Sequence, residues 1–263
     1  GMIVEQQPQF RQIPESENLN TELPEITLTP DVLVIGGGPA GMVVAKELAK
    51  ANLEVLLVDE RKTLGGQYFK QPQMELSQLD GQFQEGRAII NELLASKIKV
   101  LSSTKIWGAF DPDHILGYNQ ENRFVFRAKQ VVIATGAFER AFPIPGWTLP
   151  GVFTTGAAQT LLRSYQTTIP GRVLISGNGP LNLQIAAELC KANANVVAYV
   201  ESAKLFKLRN IVLSFLLGLL SPTLGIRGAG YLLTLVRNKV KIIDANIPTK
   251  LTGDDSLAKV NLS

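Results

Sequence analysis

The sequence predicts an α/β protein of two lobes, each organised around a parallel sheet, with a small antiparallel β-meander beside the first. Three observations carry this. A short apolar run, Val32-Leu33-Val34-Ile35, ends in a glycine turn and is followed by a helix-like segment and a second apolar run, Glu54 to Asp59. The same design returns about 140 residues later, from Arg172-Val173-Leu174-Ile175 through Gly177-Asn178-Gly179 to Asn195–Val200. Between the two, Lys105 to Phe110, Ile115 to Tyr118 and Arg123 to Arg127 alternate as strands of a meander do.

Taken in order, residues 1–30 carry Pro8, Pro14, Pro24 and Pro30 with several glutamines, and read as an extended leader. Residues 31–150 form the first lobe. Its opening strand is apolar throughout, as expected for burial on both faces. Met42 to Lys50 is rich in helix formers, with Val44, Ala45 and Leu48 spaced for one buried face. Gly86 to Ser96 predicts a further helix and Lys99 to Leu101 a strand, and Val131 to Ala134 a last buried strand ending at Thr135-Gly136. Pro143, Pro145, Gly146, Pro150 and Gly151 make a rigid connector, which sets the boundary to a second lobe over 151–263. There the spacing predicts helices over 157–164 and 181–192, and strands over 239–244 and 259–262. Ile211 to Leu220 is apolar but too short to span a bilayer, and predicts a buried or interface helix with membrane-surface contact disfavoured.

Composition narrows the chemistry. The chain has 263 residues, 45% of them hydrophobic, which supports a buried core and excludes disorder as the main state. With Cys190 the single cysteine, an internal disulfide, a CxxC redox pair and a cysteine-held cluster are excluded. With His114 the single histidine, most zinc sites and Ser-His-Asp catalysis fall away, and no metal site is expected. His114 reads as a surface residue in a turn, and Cys190 as a packed core thiol. A formal charge of +3 argues against a nucleic-acid binder. The charge is uneven: residues 151–263 carry 12 basic and 5 acidic side chains, against 14 and 18 in residues 1–150. No basic region followed by an apolar run opens the chain, so a cytoplasmic location is expected.

Gly36, Gly38 and Gly41, with Pro39 and Ala40 between, form GxGxxG directly after a buried strand and directly before a helix. The first glycine allows a tight turn, the second leaves room for a pyrophosphate, and the third lets helix and strand approach. Backbone N–H groups and the helix dipole then favour a phosphate. Asp59, at the end of the next strand, can bond the ribose of an adenosine, with Glu60 the alternative if the register is off by one. Gly177, Gly179 and Pro180 repeat the turn, but Asn182 stands in place of the third glycine. Glu201 ends the following strand and favours NAD over NADP, although Lys204, Lys207 and Arg209 blur the preference. Each lobe therefore reads as Rossmann-like and dinucleotide-binding, the second either as a working NAD site or as a scaffold.

The blocks DVLVIGGGPAGMVVAKELAK, VLLVDERKTLGGQ, VVIATGAFERAFPIPGW, PGVFTTGAAQTLL and GRVLISGNGPLNLQIA, in this order, resemble the two-dinucleotide-domain FAD/NAD(P) oxidoreductases of the pyridine nucleotide-disulfide oxidoreductase superfamily. Within it the chain is most similar to the FAD-binding α subunits of heteromeric amino-acid and amine dehydrogenases: hydrogen cyanide synthase, opine oxidase, and proline or hydroxyproline dehydrogenase. The resemblance implies FAD at Gly36, Gly38 and Gly41 with Asp59 on its ribose. It further implies that Gly65, Gly66 and Gln67 run past the flavin and that Ala134, Thr135 and Gly136 pack close to FAD, while NAD(H) at the second turn stays one of the two readings of that motif. It implies a partner β subunit holding the amino-acid or amine site, so no catalytic residue is assigned in this chain. A later segment that returns to the first lobe in the family has no counterpart here, so the chain is expected to be C-terminally truncated with both lobes incomplete, either as a fragment of a longer product or as a natural short form that needs a partner chain. Two other readings stay open: an NADH-dependent flavoprotein reductase for a protein acceptor, and a non-catalytic nucleotide-binding or assembly module.

Overall fold

A computed structural model describes residues 23–72, 81–204 and 221–263. The apolar run Ile211 to Leu220 lies outside the described residues. The chain forms two compact units, one of Gly1–Leu64 with Ile89–Thr135, the other of Gly65–Ala88 with Gly136–Ser263.

The first unit contains β1 (Glu25–Leu28), β2 (Val32–Ile35), α1 (Pro39–Lys50), β3 (Val55–Val58), β4 (Lys99–Leu101), β5 (Lys105–Asp111), β6 (His114–Tyr118), β7 (Arg123–Phe126) and β8 (Gln130–Ile133). Helix α2 (Gly81–Leu94) begins in the second unit and ends in the first. A parallel sheet runs β4-β3-β2-β8, with Val32 opposite Val55 on one side and Gln130 on the other. All four β3 side chains are buried, as a strand covered on both faces requires. Helix α1 packs on β2 and β3 through Gly41, Met42 and Ala45. A second sheet, β1-β7-β6-β5, is antiparallel except for the β1–β7 pair. Leu33, Leu56 and Val58 of the parallel sheet share one core with Ile115, Phe124 and Phe126 of the other. Each such fully buried side chain is worth about 1.5–3 kcal/mol.

The second unit contains α3 (Thr155–Tyr165), β9 (Arg172–Gly177), α4 (Pro180–Lys191), β10 (Asn195–Glu201), α5 (Pro222–Arg237), β11 (Lys241–Asp244), β12 (Pro248–Thr252) and β13 (Lys259–Leu262). Its parallel sheet runs β11-β10-β9. The core gathers Ile185, Leu189 and Cys190 of α4 with Val173, Ile175, Tyr199 and Leu235. The two β-α-β units match down to their helix ends. Both α1 and α4 close on Lys-Ala-Asn, and Asn52 and Asn193 take the left-handed conformation at φ 60° and 61°. Asparagine tolerates that region better than most side chains.

The expected fold class is observed, and several details differ. Residues 25–28 of the leader are an edge strand, because Arg123 N–H and Arg127 N–H donate to the carbonyls of Pro24 and Leu28. His114 opens strand β6 opposite Asp111, in edge-to-face contact with Phe110, instead of lying in the turn. Helix α5 was not expected, since Gly225, Gly228 and Gly230 mask its periodicity, yet it packs on α4 through buried Leu235. Strand β13 pairs with β12 in a separate hairpin. The proline connector runs beside that hairpin: Pro145 and Pro150 carbonyls accept from Leu251 and Leu257 N–H.

Candidate functional site

The first glycine turn follows from the end of β2. Gly36 N–H donates to Val58 O, and Ala134 N–H donates to Ile35 O, so the turn leaves the sheet between two strand ends. Gly36 has φ +109°, and a Cβ there would lie 2.4 Å from the Ala134 carbonyl oxygen. A Cβ on Gly41 would lie 1.9 Å from Gly36 O. Both positions therefore require glycine, the first for conformation and contact, the second for the approach of α1 to β2. Gly38 is the N-cap of α1 without a side-chain cap, and Pro39 follows within its first turn, ahead of Ala40. The positive end of α1 is thus not engaged by a capping side chain.

Asp59 lies at the end of β3 and is 9% exposed. Its Oδ2 accepts Gly37 N–H at 2.5 Å and its Oδ1 accepts Arg61 N–H at 2.7 Å. A carboxylate has about four acceptor positions, so one remains on each oxygen. Glu60, the alternative acid, is exposed. Thr135 follows Ala134, its nitrogen 3.1 Å from the Gly36 Cβ position, so the Ala134-Thr135 backbone and the first glycine turn touch. The glycine cradle, the helix end without a side-chain cap and the half-engaged acid suit a dinucleotide diphosphate and its ribose.

Gly136, Gly65, Gly66 and Gln67 belong to the other unit. Gly136 has φ +73° with nothing within 4 Å of its Cβ position. Gly65 has φ +117°, and a Cβ there would meet Phe69 O at 2.2 Å; Gly66 has φ +61° and Gln67 is exposed. The next residues, Phe69 to Pro72, are all buried. Lys70 Nζ donates to Thr160 Oγ1 at 2.6 Å, and Gln71 Nε2 donates to the carbonyls of Phe69 and Phe83. These bonds hold the Gly65–Gln67 turn to the second unit.

In the second turn, Gly177 and Gly179 have φ +156° and +103°, Gly179 caps α4, and Pro180 opens it. Asn182 fills the place of the third glycine: its Nδ2 lies 2.4 Å from the Gly177 Cβ position, and its Oδ1 accepts the Thr155 hydroxyl at 2.7 Å. Glu201 is 3% exposed and accepts the Tyr199 hydroxyl, Gly179 N–H and Ala203 N–H. Burial and the neighbouring Glu201 carboxylate push the Tyr199 phenol well above its ordinary range. Sequence reasoning passed over Tyr199, although its place two residues before Glu201 puts both on one face of β10. It also passed over Thr155 and the buried pair Arg163–Glu188, in which the guanidinium makes two bonds to the carboxylate and covers the Phe83 ring.

Cys190 is buried, and burial raises its thiol. Among the described residues no group of three or more His, Cys, Asp or Glu gathers to hold a metal. No described helix is long and apolar enough to cross a membrane.

Comparison with known proteins adds to this geometry. The family model described as pyridine nucleotide-disulphide oxidoreductase matches residues 30–213. An opine oxidase subunit from Agrobacterium tumefaciens is 31% identical over 221 residues, which cover 79% of this chain and 44% of that one. The hydrogen cyanide synthase subunit HcnB of Pseudomonas protegens is 30% identical over 198 residues, 70% of this chain and 41% of that one. Among solved structures, L-proline dehydrogenase from P. horikoshii superposes with a TM-score of 0.56 at 21% identity, covering 91% of this chain and 40% of that one. The chain thus spans less than half the length of each of these three.

Proposed function

The chain belongs to the pyridine nucleotide-disulphide oxidoreductase family, and from that premise we propose that it is an FAD-dependent oxidoreductase subunit serving amino-acid or amine oxidation. The observation that carries the proposal is the first glycine turn: Gly36 and Gly41 admit no side chain, the α1 N-terminus has no side-chain cap, and Asp59 keeps one acceptor position per oxygen. Gly36, Gly38, Pro39, Ala40 and Gly41 would hold the diphosphate of FAD, Asp59 the adenosine ribose, and Ala134 and Thr135 would lie beside the cofactor. FAD, when bound, supplies the two-electron redox chemistry. The protein's part is to orient the ring and to present backbone groups to it.

A partner subunit would hold the amino-acid or amine substrate. Two named relatives are themselves subunits, one of opine oxidase and one of hydrogen cyanide synthase, which supports this arrangement. Residues 31–150 and 151–263 would act as the flavin lobe and the second dinucleotide-type lobe.

An absorption spectrum of the purified chain, with mass spectrometry of cofactor released on denaturation, tests the proposal. Flavin bands near ~450 nm, and a melting temperature that rises with added FAD, are expected, because a ligand that binds only the native state stabilises it. A colourless chain whose melting is indifferent to FAD overturns the flavin assignment. Turnover of amino acids or amines by this chain alone, with an artificial electron acceptor, overturns the placement of the substrate site on a partner.

A further inference from the structure

The second glycine turn has the residue types of a nucleotide cradle, but its acid is not placed as Asp59 is. Asp59 spends one acceptor position on each oxygen, on Gly37 N–H and Arg61 N–H, and keeps one on each. That arrangement matches the two hydroxyls of a ribose. Glu201 spends three. Its Oε2 accepts the Tyr199 hydroxyl at 2.8 Å and Gly179 N–H at 3.3 Å, which fills that oxygen. Its Oε1 accepts Ala203 N–H at 3.1 Å. A single acceptor position remains, on a carboxylate more deeply buried than Asp59.

Asn182 adds a second misfit. Its amide packs under Gly177 and is held by Thr155, so the first turn of α4 rests on a side chain where the first lobe has bare backbone. The phosphate end of the turn is open by contrast, with nothing within 4 Å of the Gly179 Cβ position. The misfit is at the sugar.

We propose that Tyr199 holds Glu201 inward and closes the second glycine turn to the ribose diol of a pyridine dinucleotide, so that this chain does not take up NAD(H) there. Gly177, Gly179, Pro180 and Glu201 then form a scaffold in which the acid braces the turn from within. The proposal concerns the second turn alone, and its test rests on the proposed function in using FAD to fill the first.

Equilibrium dialysis of NADH against the full chain, with and without excess FAD, tests it. No saturable uptake is expected below about 1 mM, a standard binding energy near ~4 kcal/mol, once FAD is in excess. Tyr199→Phe frees one position on Oε2, restores one per oxygen, and is expected to bind NADH about tenfold or more tightly than the wild type. Circular dichroism and thermal melting establish that the variant is folded. NADH uptake that FAD suppresses belongs to the first turn and supports the proposal. Uptake by the wild type below about 1 mM that survives excess FAD overturns it. A folded Tyr199→Phe chain with no gain overturns the part assigned to Tyr199, and the wild-type dialysis decides the matter on its own if that variant does not fold.

Discussion

Asp59→Asn separates the two tasks of the first acid. In the native chain each carboxylate oxygen accepts one backbone N–H, from Gly37 and from Arg61, in a nearly buried setting. An amide has one oxygen, so one of these donors must face an NH2 group. A buried donor left without an acceptor costs about 1–3 kcal/mol. For a chain of this size a loss of about 2 kcal/mol lowers the melting temperature by about 4–8 °C. The same change removes one charged acceptor from the ribose side, worth about 1.5–3 kcal/mol, or about 10–150-fold in FAD affinity. Differential scanning fluorimetry without FAD reads the first effect, and titration of the stripped chain with FAD reads the second. An unchanged melting temperature refutes the hydrogen-bond geometry at Asp59. An unchanged FAD affinity, alongside a lowered melting temperature, refutes its assignment to the ribose while leaving the geometry intact.

Gly41→Ala puts a methyl group 1.9 Å from Gly36 O, so α1 must move off β2; overpacking of this kind costs about 1–3 kcal/mol, and loss of bound flavin on gel filtration is expected with it. Arg163→Ala leaves the largely buried Glu188 carboxylate without its guanidinium, and urea unfolding is expected to register a loss of about 3 kcal/mol. Tyr199 has a folded-state phenol raised above its unfolded value, so its stabilisation is present below the unfolded pKa and declines as pH rises beyond about 10. Melting temperatures followed from neutral to alkaline pH should therefore fall less steeply in Tyr199→Phe than in the wild type. Cys190 is buried and its thiol raised, so it should resist alkylation at pH ~8 in the native chain and react once the chain is unfolded.

The strands β2 and β3 were legible because burial on both faces leaves an uninterrupted apolar run, as in Val55–Val58, whereas β8, expected to be buried, leaves Ile133 exposed. The glycine turns were legible because their residues answer local demands: Gly36 for a positive φ, Gly41 for close approach. The helix α5 was hidden because its glycines weaken the local signal, and its packing on α4 holds it instead. The leader's last residues were hidden because a strand at a sheet edge is made by a distant neighbour, here β7, which lies about 100 positions along the chain. The same division runs through the two acids. Residue type and strand position marked Asp59 and Glu201 alike, since both end a strand after a glycine turn. How many hydrogen-bond positions each has left depends on which donors the fold brings beside it. Arg61 N–H and Gly37 N–H leave Asp59 half engaged, whereas a hydroxyl and two backbone amides nearly exhaust Glu201. Local spacing nominates both carboxylates and sets Arg61, Tyr199 and Ala203 two residues from them, but the amides of Gly37 and Gly179 come 22 positions away from the glycine turns, and only the assembled positions show which groups donate and what each acid has left.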